Sequence, residues 1–394
     1  MTSALENMSA LEVGERLRNA RDAAGFTQAA AAAAVNISRT TLVAIEQGLR
    51  PVRVSELRAL VKTYNTSINE MLRSEAINVE LTPKFRKLFH SQNDPVEQAV
   101  RSLSDLAKAE IELEGLLGVR RIRNYPPERP ILSGDVRAQA EQDALELRQW
   151  LGLGYSPITD LTTILEMELG VRVYVRRLDS RISGLFAYDE VLGACIMLNA
   201  SHPRERRSQT AAHELGHLVS SRREAEILEQ GQVDSSREER YATAFGIAFL
   251  MPVRAVMQKF KEVTLGADKL TRRHVIVLAH AFGVSREAMV RRLEELKLTK
   301  LGTWDWFEAN GKITDEQARE VLGDLVIPDN QKADAGRPTT LRLALIAGQA
   351  WRRELLSEGQ LMRMLHVDRV ELRKMLDDLE LEEGSEADGA LLFR

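Results

Sequence analysis

Five residues, His213-Glu214-Leu215-Gly216-His217, constrain this chain more than any others. Helical geometry advances about 100° per residue, so two imidazoles four apart share one helix face. A carboxylate beside the first completes the H-E-x-x-H arrangement, in which both histidines ligate Zn²⁺ and the glutamate acts as general base on a water. The preceding run, Arg204 to Ala212, has strong helix formers and neither Pro nor Gly, so the motif is expected inside a helix. Gly216 is small enough to let another backbone approach the metal. Two solvated histidines on an ordinary surface helix are the competing explanation.

A hydrolytic zinc site takes three protein ligands and keeps a fourth position open. The stretch from Ser235 to Pro252 reads as a helix, with serine and acids at its start and Pro252 at its end. Glu239, Ala242, Thr243 and Gly246 fall at i, i+3, i+4 and i+7, a narrow face of small residues behind one carboxylate. Such a face can pack tightly on the histidine helix and bring Glu239 to the metal. Glu238 points about 100° away and is the weaker candidate. Alternatively, both acids merely complement the helix dipole.

From Asn199 to Pro252 the chain resembles the ImmA/IrrE family of metallopeptidases. The resemblance rests on His213 to His217, followed by Glu239, Ala242, Phe245, Leu250, Met251 and Pro252. It extends to opening helices at Ala140–Arg148 and Pro157–Leu161, and to strands at Val171–Val175 and Gly193–Asn199. Thr243 stands where the family usually has Asn or Asp, and Gly246 where Ala is usual; neither is expected to carry chemistry. The resemblance implies a zinc metalloendopeptidase with His213, His217 and Glu239 as a gluzincin-like ligand set and Glu214 as base. Its implied substrate is a helix-turn-helix transcriptional repressor, cut in response to stress, DNA damage or phage, as in anti-phage (CBASS-type) operons. The alternative is a transcription factor whose peptidase-like part senses a ligand without proteolysis.

The N-terminal segment carries a second pattern. Leu11 to Ala24 is amphipathic and ends at Gly25; Thr27 can cap a helix that starts at Gln28. Val35-Asn36-Ile37 turns, Ser38 caps Arg39 to Glu46, and Gly48 stops it. Two short helices joined by a tight turn describe a helix-turn-helix, expected to present Arg39, Thr40 and Thr41 to the major groove while Thr27 and Gln28 hold phosphate or base edges. Residues 11–73 resemble the Cro/cI-like (XRE) family, although Ala29–Ala34 replaces the usual Leu-Ala pair. Nine Lys and Arg against seven Asp and Glu up to Arg73 make the segment only mildly basic. A lone copy is therefore expected to bind DNA weakly, and a homodimer is compatible with the pattern. A protein-docking module that has lost DNA contact is the competing explanation.

The expected fold class is α+β, mainly α-helical: residues 1–78 a helix-turn-helix, 79–133 a connecting helix and linker, and 134–262 a zincin-like peptidase with a small sheet. Residues 263–300 read as a helix-turn-helix-like extension, repeating a turn, serine cap and helix at Phe282–Leu293, and 301–394 read as a helical packing or oligomer surface. The basic Pro83–Lys87 patch, solvated arginines at 120, 121 and 123, and a polar linker at 328–338 complete the layout. A net charge of −4 implies no global polyanion partner. One cysteine excludes an intramolecular disulfide framework. The lack of a membrane-length apolar run or signal layout leads us to expect a cytoplasmic protein with no membrane partner. A peptidase kept there must be selective or gated. Cys195, in the run Ala194–Leu198, is a small buried hydrophobe or, alternatively, a latent-state zinc ligand.

Overall fold

The computed structural model describes residues 10–64, 81, 95–222, 226–229, 236–323 and 339–383. The Pro83–Lys87 patch and the 328–338 linker lie outside them. The chain divides into two compact units, Met1–Asn78 and Val79–Arg394.

In the first unit, helices α1 (Ala10–Ala23), α2 (Gln28–Ala34), α3 (Arg39–Glu46) and α4 (Val54–Thr63) enclose a small core. Leu17, Ala31, Leu42, Ile45, Leu57 and Leu60 fill it. The caps are those the sequence predicts: Thr27 accepts from the Ala30 amide at 3.2 Å and Ser38 from the Thr41 amide at 3.0 Å, each worth about 1 kcal/mol. The alanine tract still packs, because its two buried members, Ala31 and Ala32, face the core.

The second unit is built around a four-stranded sheet in the order β1-β3-β2-β4. Its strands are β1 (Arg172–Arg176), β2 (Ile182–Asp189), β3 (Gly193–Asn199) and β4 (Glu226–Glu229). β1 runs parallel to β3, whereas β2 is antiparallel to both β3 and β4. The resemblance located β1 and β3; β2 and β4 went unmarked.

Before the sheet come α5 (Pro95–Leu117), α6 (Val136–Trp150) and α7 (Leu161–Thr163), the last running into a π-helical turn at Ile164–Glu168. Between β3 and β4 lies α8 (Arg204–Ser220), and after β4 come α9 (Arg237–Leu250) and α10 (Val253–Val263). One core joins Ala194, Ile196 and Leu198 of β3 with Ala211, Leu215 and Leu218 of α8 and Phe245 and Phe249 of α9. Every residue of α8 from Thr210 to Ser220 is buried, so the H-E-x-x-H helix runs through the middle of the domain.

Two expectations need correction. The helix expected within the 79–133 connecting segment does more than connect: α5 packs on the sheet and buries Glu110 and Glu114. Nor is Arg121 solvated. Its guanidinium, 3% exposed, pairs with Glu110 and Glu114. Arg172 of β1 and Arg342 join the same cluster, within 3.1 Å of one or both acids. A buried arginine needs such partners, since an isolated charge in the interior costs several kcal/mol. Periodicity places the acids on the inner face of α5 but cannot show which cations meet them there.

Arg342 belongs to α15 (Leu341–Arg352), which follows α11 (Arg272–Phe282), α12 (Arg286–Glu295), α13 (Thr303–Ala309) and α14 (Asp315–Leu322) and precedes α16 (Glu358–Leu365) and α17 (Arg369–Glu383). The boundary expected at residue 300 is not a boundary in packing. Val275 and Ile276 of α11 and Val290 of α12 share a cluster with Phe307 and Ile313. Three arginines of α12 are also occupied: Arg286 pairs with Asp315, Arg291 with Asp305 at 2.7 Å, and Arg292 is buried against Glu141 at 2.6 Å. This second helix-turn-helix-like element is therefore part of the domain's framework. No helix among the described residues is long and apolar enough to cross a membrane.

Candidate metal centre

The site begins with two helices pressed face to face. A Cβ on Gly216 of α8 would lie 2.8 Å from the Ala242 Cα of α9. A Cβ on Gly246 of α9 would in turn lie 3.0 Å from the His213 amide nitrogen. Each glycine thus makes room for the other helix's backbone, and the small-residue face predicted for α9 is the contact surface. Gly216→Val should force the helices apart, costing about 1–3 kcal/mol of stability. Zinc affinity should fall with it, as thermal unfolding with and without zinc will test.

That contact carries Glu239 to the histidines. Its Oε2 is 3.2 Å from His213 Nε2, its Oε1 is 3.3 Å from His217 Nε2, and the two imidazole nitrogens are 3.1 Å apart. Ser236 caps α9 by accepting from the Glu239 amide at 3.1 Å, which settles where the helix starts. Glu238, one residue earlier, is exposed. Among the described residues, these three side chains form the one His/Cys/Asp/Glu cluster that can hold a metal ion.

The spacing fits zinc. Ligand atoms about 2.0–2.1 Å from a tetrahedral Zn²⁺ lie about 3.3 Å from one another. The three gaps observed match that edge, and two imidazoles with one carboxylate are a zinc donor set. Protonation agrees. Burial alone would raise the Glu239 pKa, yet hydrogen bonds from His213 and His217 hold it far below the usual carboxylate range. Burial lowers that of His217. Both shifts favour the anionic carboxylate and neutral imidazole that a cation requires.

Glu214 is fully buried next to His213. Strand β2 faces it with a glycine: a Cβ on Gly184 would come 3.1 Å from Glu214 Oε1 and 2.5 Å from Thr210 Cγ2. A bare backbone at 184 leaves the carboxylate its space. Sequence reasoning missed Gly184, since nothing local marks it as lying opposite a residue thirty positions away. Phe186, two residues on, stacks on the His217 ring at 6.2 Å between centroids.

Cys195 is not at this site. Alternation along β3 turns Ala194, Ile196 and Leu198 into the core beneath α8 and puts Cys195 on the other face. Burial pushes its thiol up to about 12, and the nearby charges belong to Arg172, Glu110 and Arg121. The latent-ligand alternative is therefore set aside in favour of the small buried hydrophobe.

The N-terminal candidates separate into two groups. Thr27 and Ser38 spend their hydroxyls on helix caps, and the Gln28 amide donates inward to Glu46 at 2.9 Å. Glu46 is also gripped by buried Arg21, at 2.7 and 3.2 Å. Gln28 is thereby held as part of the domain's framework. Arg39 and Thr40 are exposed at the start of α3, with Thr41 half-buried beside them.

Comparison with known proteins agrees with this architecture. Residues 166–294 match the family model described as an IrrE N-terminal-like domain of the peptidase class, and residues 12–73 match a helix-turn-helix domain. A search of curated proteins found no match. Two segments of the chain are thus similar to known domains, residues 12–73 to a helix-turn-helix domain and residues 166–294 to an IrrE N-terminal-like peptidase domain.

Proposed function

We propose that this protein is a zinc-dependent endopeptidase that regulates transcription by cutting a helix-turn-helix repressor. The observation that carries the proposal is the convergence of His213, His217 and Glu239 at mutual gaps of 3.1–3.3 Å, with Glu214 on the same helix. Zinc held by these three side chains would supply a Lewis acid that polarises the scissile carbonyl and makes water acidic enough to ionise near neutral pH. Glu214 accepts the proton of the attacking water and returns it to the leaving amine. Fusion to a helix-turn-helix module supports a regulatory role, with Arg39, Thr40 and Thr41 offered to DNA and a dimer supplying two half-sites. Stress, DNA damage or phage infection is the class of signal that would call for such a cut.

A ligand sensor without hydrolysis has no physical need for a base next to a complete ligand set. The two readings part in one experiment. The purified protein is incubated with a candidate helix-turn-helix repressor, with zinc, with a chelator, and with zinc restored. Cleavage that stops on chelation and returns with zinc is the expected result. A zinc-loaded protein that leaves the repressor intact, with and without nucleic acid, would support the sensor instead.

A further inference from the structure

The two metal-facing imidazoles are oriented by different means. His217 lies flat against Phe186, with 24° between the ring planes, and only 3% of the residue is exposed. Packing holds that ring. His213 is also buried, but a second contact is made through its far nitrogen: Nδ1 lies 3.4 Å from Thr243 Oγ1.

Thr243 is one helical turn beyond Glu239, so a single face of α9 meets both nitrogens of one ring. Glu239 reaches Nε2 at 3.2 Å and Thr243 reaches Nδ1. A half-turn about the Cβ–Cγ bond would replace each nitrogen by carbon and forfeit both contacts. When Nε2 serves as a ligand atom, the neutral ring carries its proton on Nδ1 and must place it on an acceptor. The Thr243 hydroxyl oxygen is such an acceptor, and hydrogen bonds to the outer nitrogen fix both the tautomer and the direction of a ligating histidine.

We infer that Thr243 is a positioning residue for the metal centre, its hydroxyl accepting from Nδ1–H of His213 and aiming Nε2 at the ion. The inference rests on the ligand set proposed above. It also revises the expectation that position 243 carries no chemistry. Threonine is well suited to the place: its hydroxyl is short, and the branched side chain has few χ1 choices in a helix. Loss of such a partner weakens metal affinity about 10–100-fold. Because Thr243 is open to solvent, water can partly replace it, and the lower end of that range is expected.

The test uses the full chain and zinc alone, with affinity measured by competition against a chromophoric chelator. Thr243→Val keeps the shape and removes the hydroxyl; Thr243→Ser keeps the hydroxyl and removes the methyl group. The Val variant should bind zinc about 10-fold more weakly, and the Ser variant should match the parent within about 3-fold. Thermal unfolding of the metal-free proteins should be alike, because an exposed methyl-for-hydroxyl exchange leaves the core untouched. Val binding as tightly as the parent would overturn the role of Thr243 and leave the ligand set standing. Equal weakening by Ser and Val would assign the effect to packing and overturn it too. A parent that binds no zinc would overturn the ligand set, and this inference with it.

Discussion

Glu214→Gln is expected to slow peptide cleavage by about 10²–10⁴-fold, the usual contribution of a positioned general base. Zinc content should not change, because the proposed ligand atoms belong to His213, His217 and Glu239. The substitution preserves side-chain size where Gly184 leaves little slack: an added Cβ there would already stand 3.1 Å from Glu214 Oε1. Folding should therefore survive, and the loss can be read as chemistry. Single-turnover cleavage assays beside zinc stoichiometry make the comparison. Undiminished cleavage by the Gln variant would remove Glu214 from the mechanism, whereas loss of zinc would mean that this carboxylate has a structural part in the site.

The largest effect on stability is expected outside the His213–His217–Glu239 cluster, at Glu110. Burial would raise its pKa, but Arg121, Arg172 and Arg342, with the Tyr174 hydroxyl donating at 2.7 Å, hold it at about 2. Glu110→Ala leaves these buried guanidiniums short of a counter-charge, and breaking such a network costs about 3–5 kcal/mol. Denaturant unfolding at neutral pH will measure it. The pH dependence has a definite sign. A carboxyl that titrates at 4.5 unfolded and about 2 folded contributes its full stabilisation above about pH 4.5 and loses it as pH falls through 2. The difference in stability between parent and variant should shrink over that window. A difference that is flat with pH would show that the charge of Glu110 is not what holds α5, β1 and α15 together.

Much of the site could be read directly from residue spacing. His213 and His217 share a face because four residues nearly complete a helical turn, and that rule requires no knowledge of the rest of the chain. The small face of Glu239, Ala242, Thr243 and Gly246 was legible for the same reason, and Gly216 and Gly246 show that helix contact uses it. Caps at Thr27 and Ser38 were equally local. The contact of position 243 was not legible in this way, because the neighbour that its hydroxyl meets, His213, lies thirty residues away.

Local periodicity determined which residues lie on one side of a helix, where helices begin, and that two histidines and one carboxylate were available to a cation. Tertiary structure decided what those faces meet. It turned Cys195 away from the His213–His217–Glu239 cluster, set Gly184 against Glu214, and closed Arg121, Arg172 and Arg342 around two acids of α5. The division has a physical cause. Helical phase and capping are properties of a few adjacent residues. Strand pairing, and the partners of a buried charge, depend on segments separated by up to 232 positions, brought together only when burial of the whole core offsets the entropy of closing such loops.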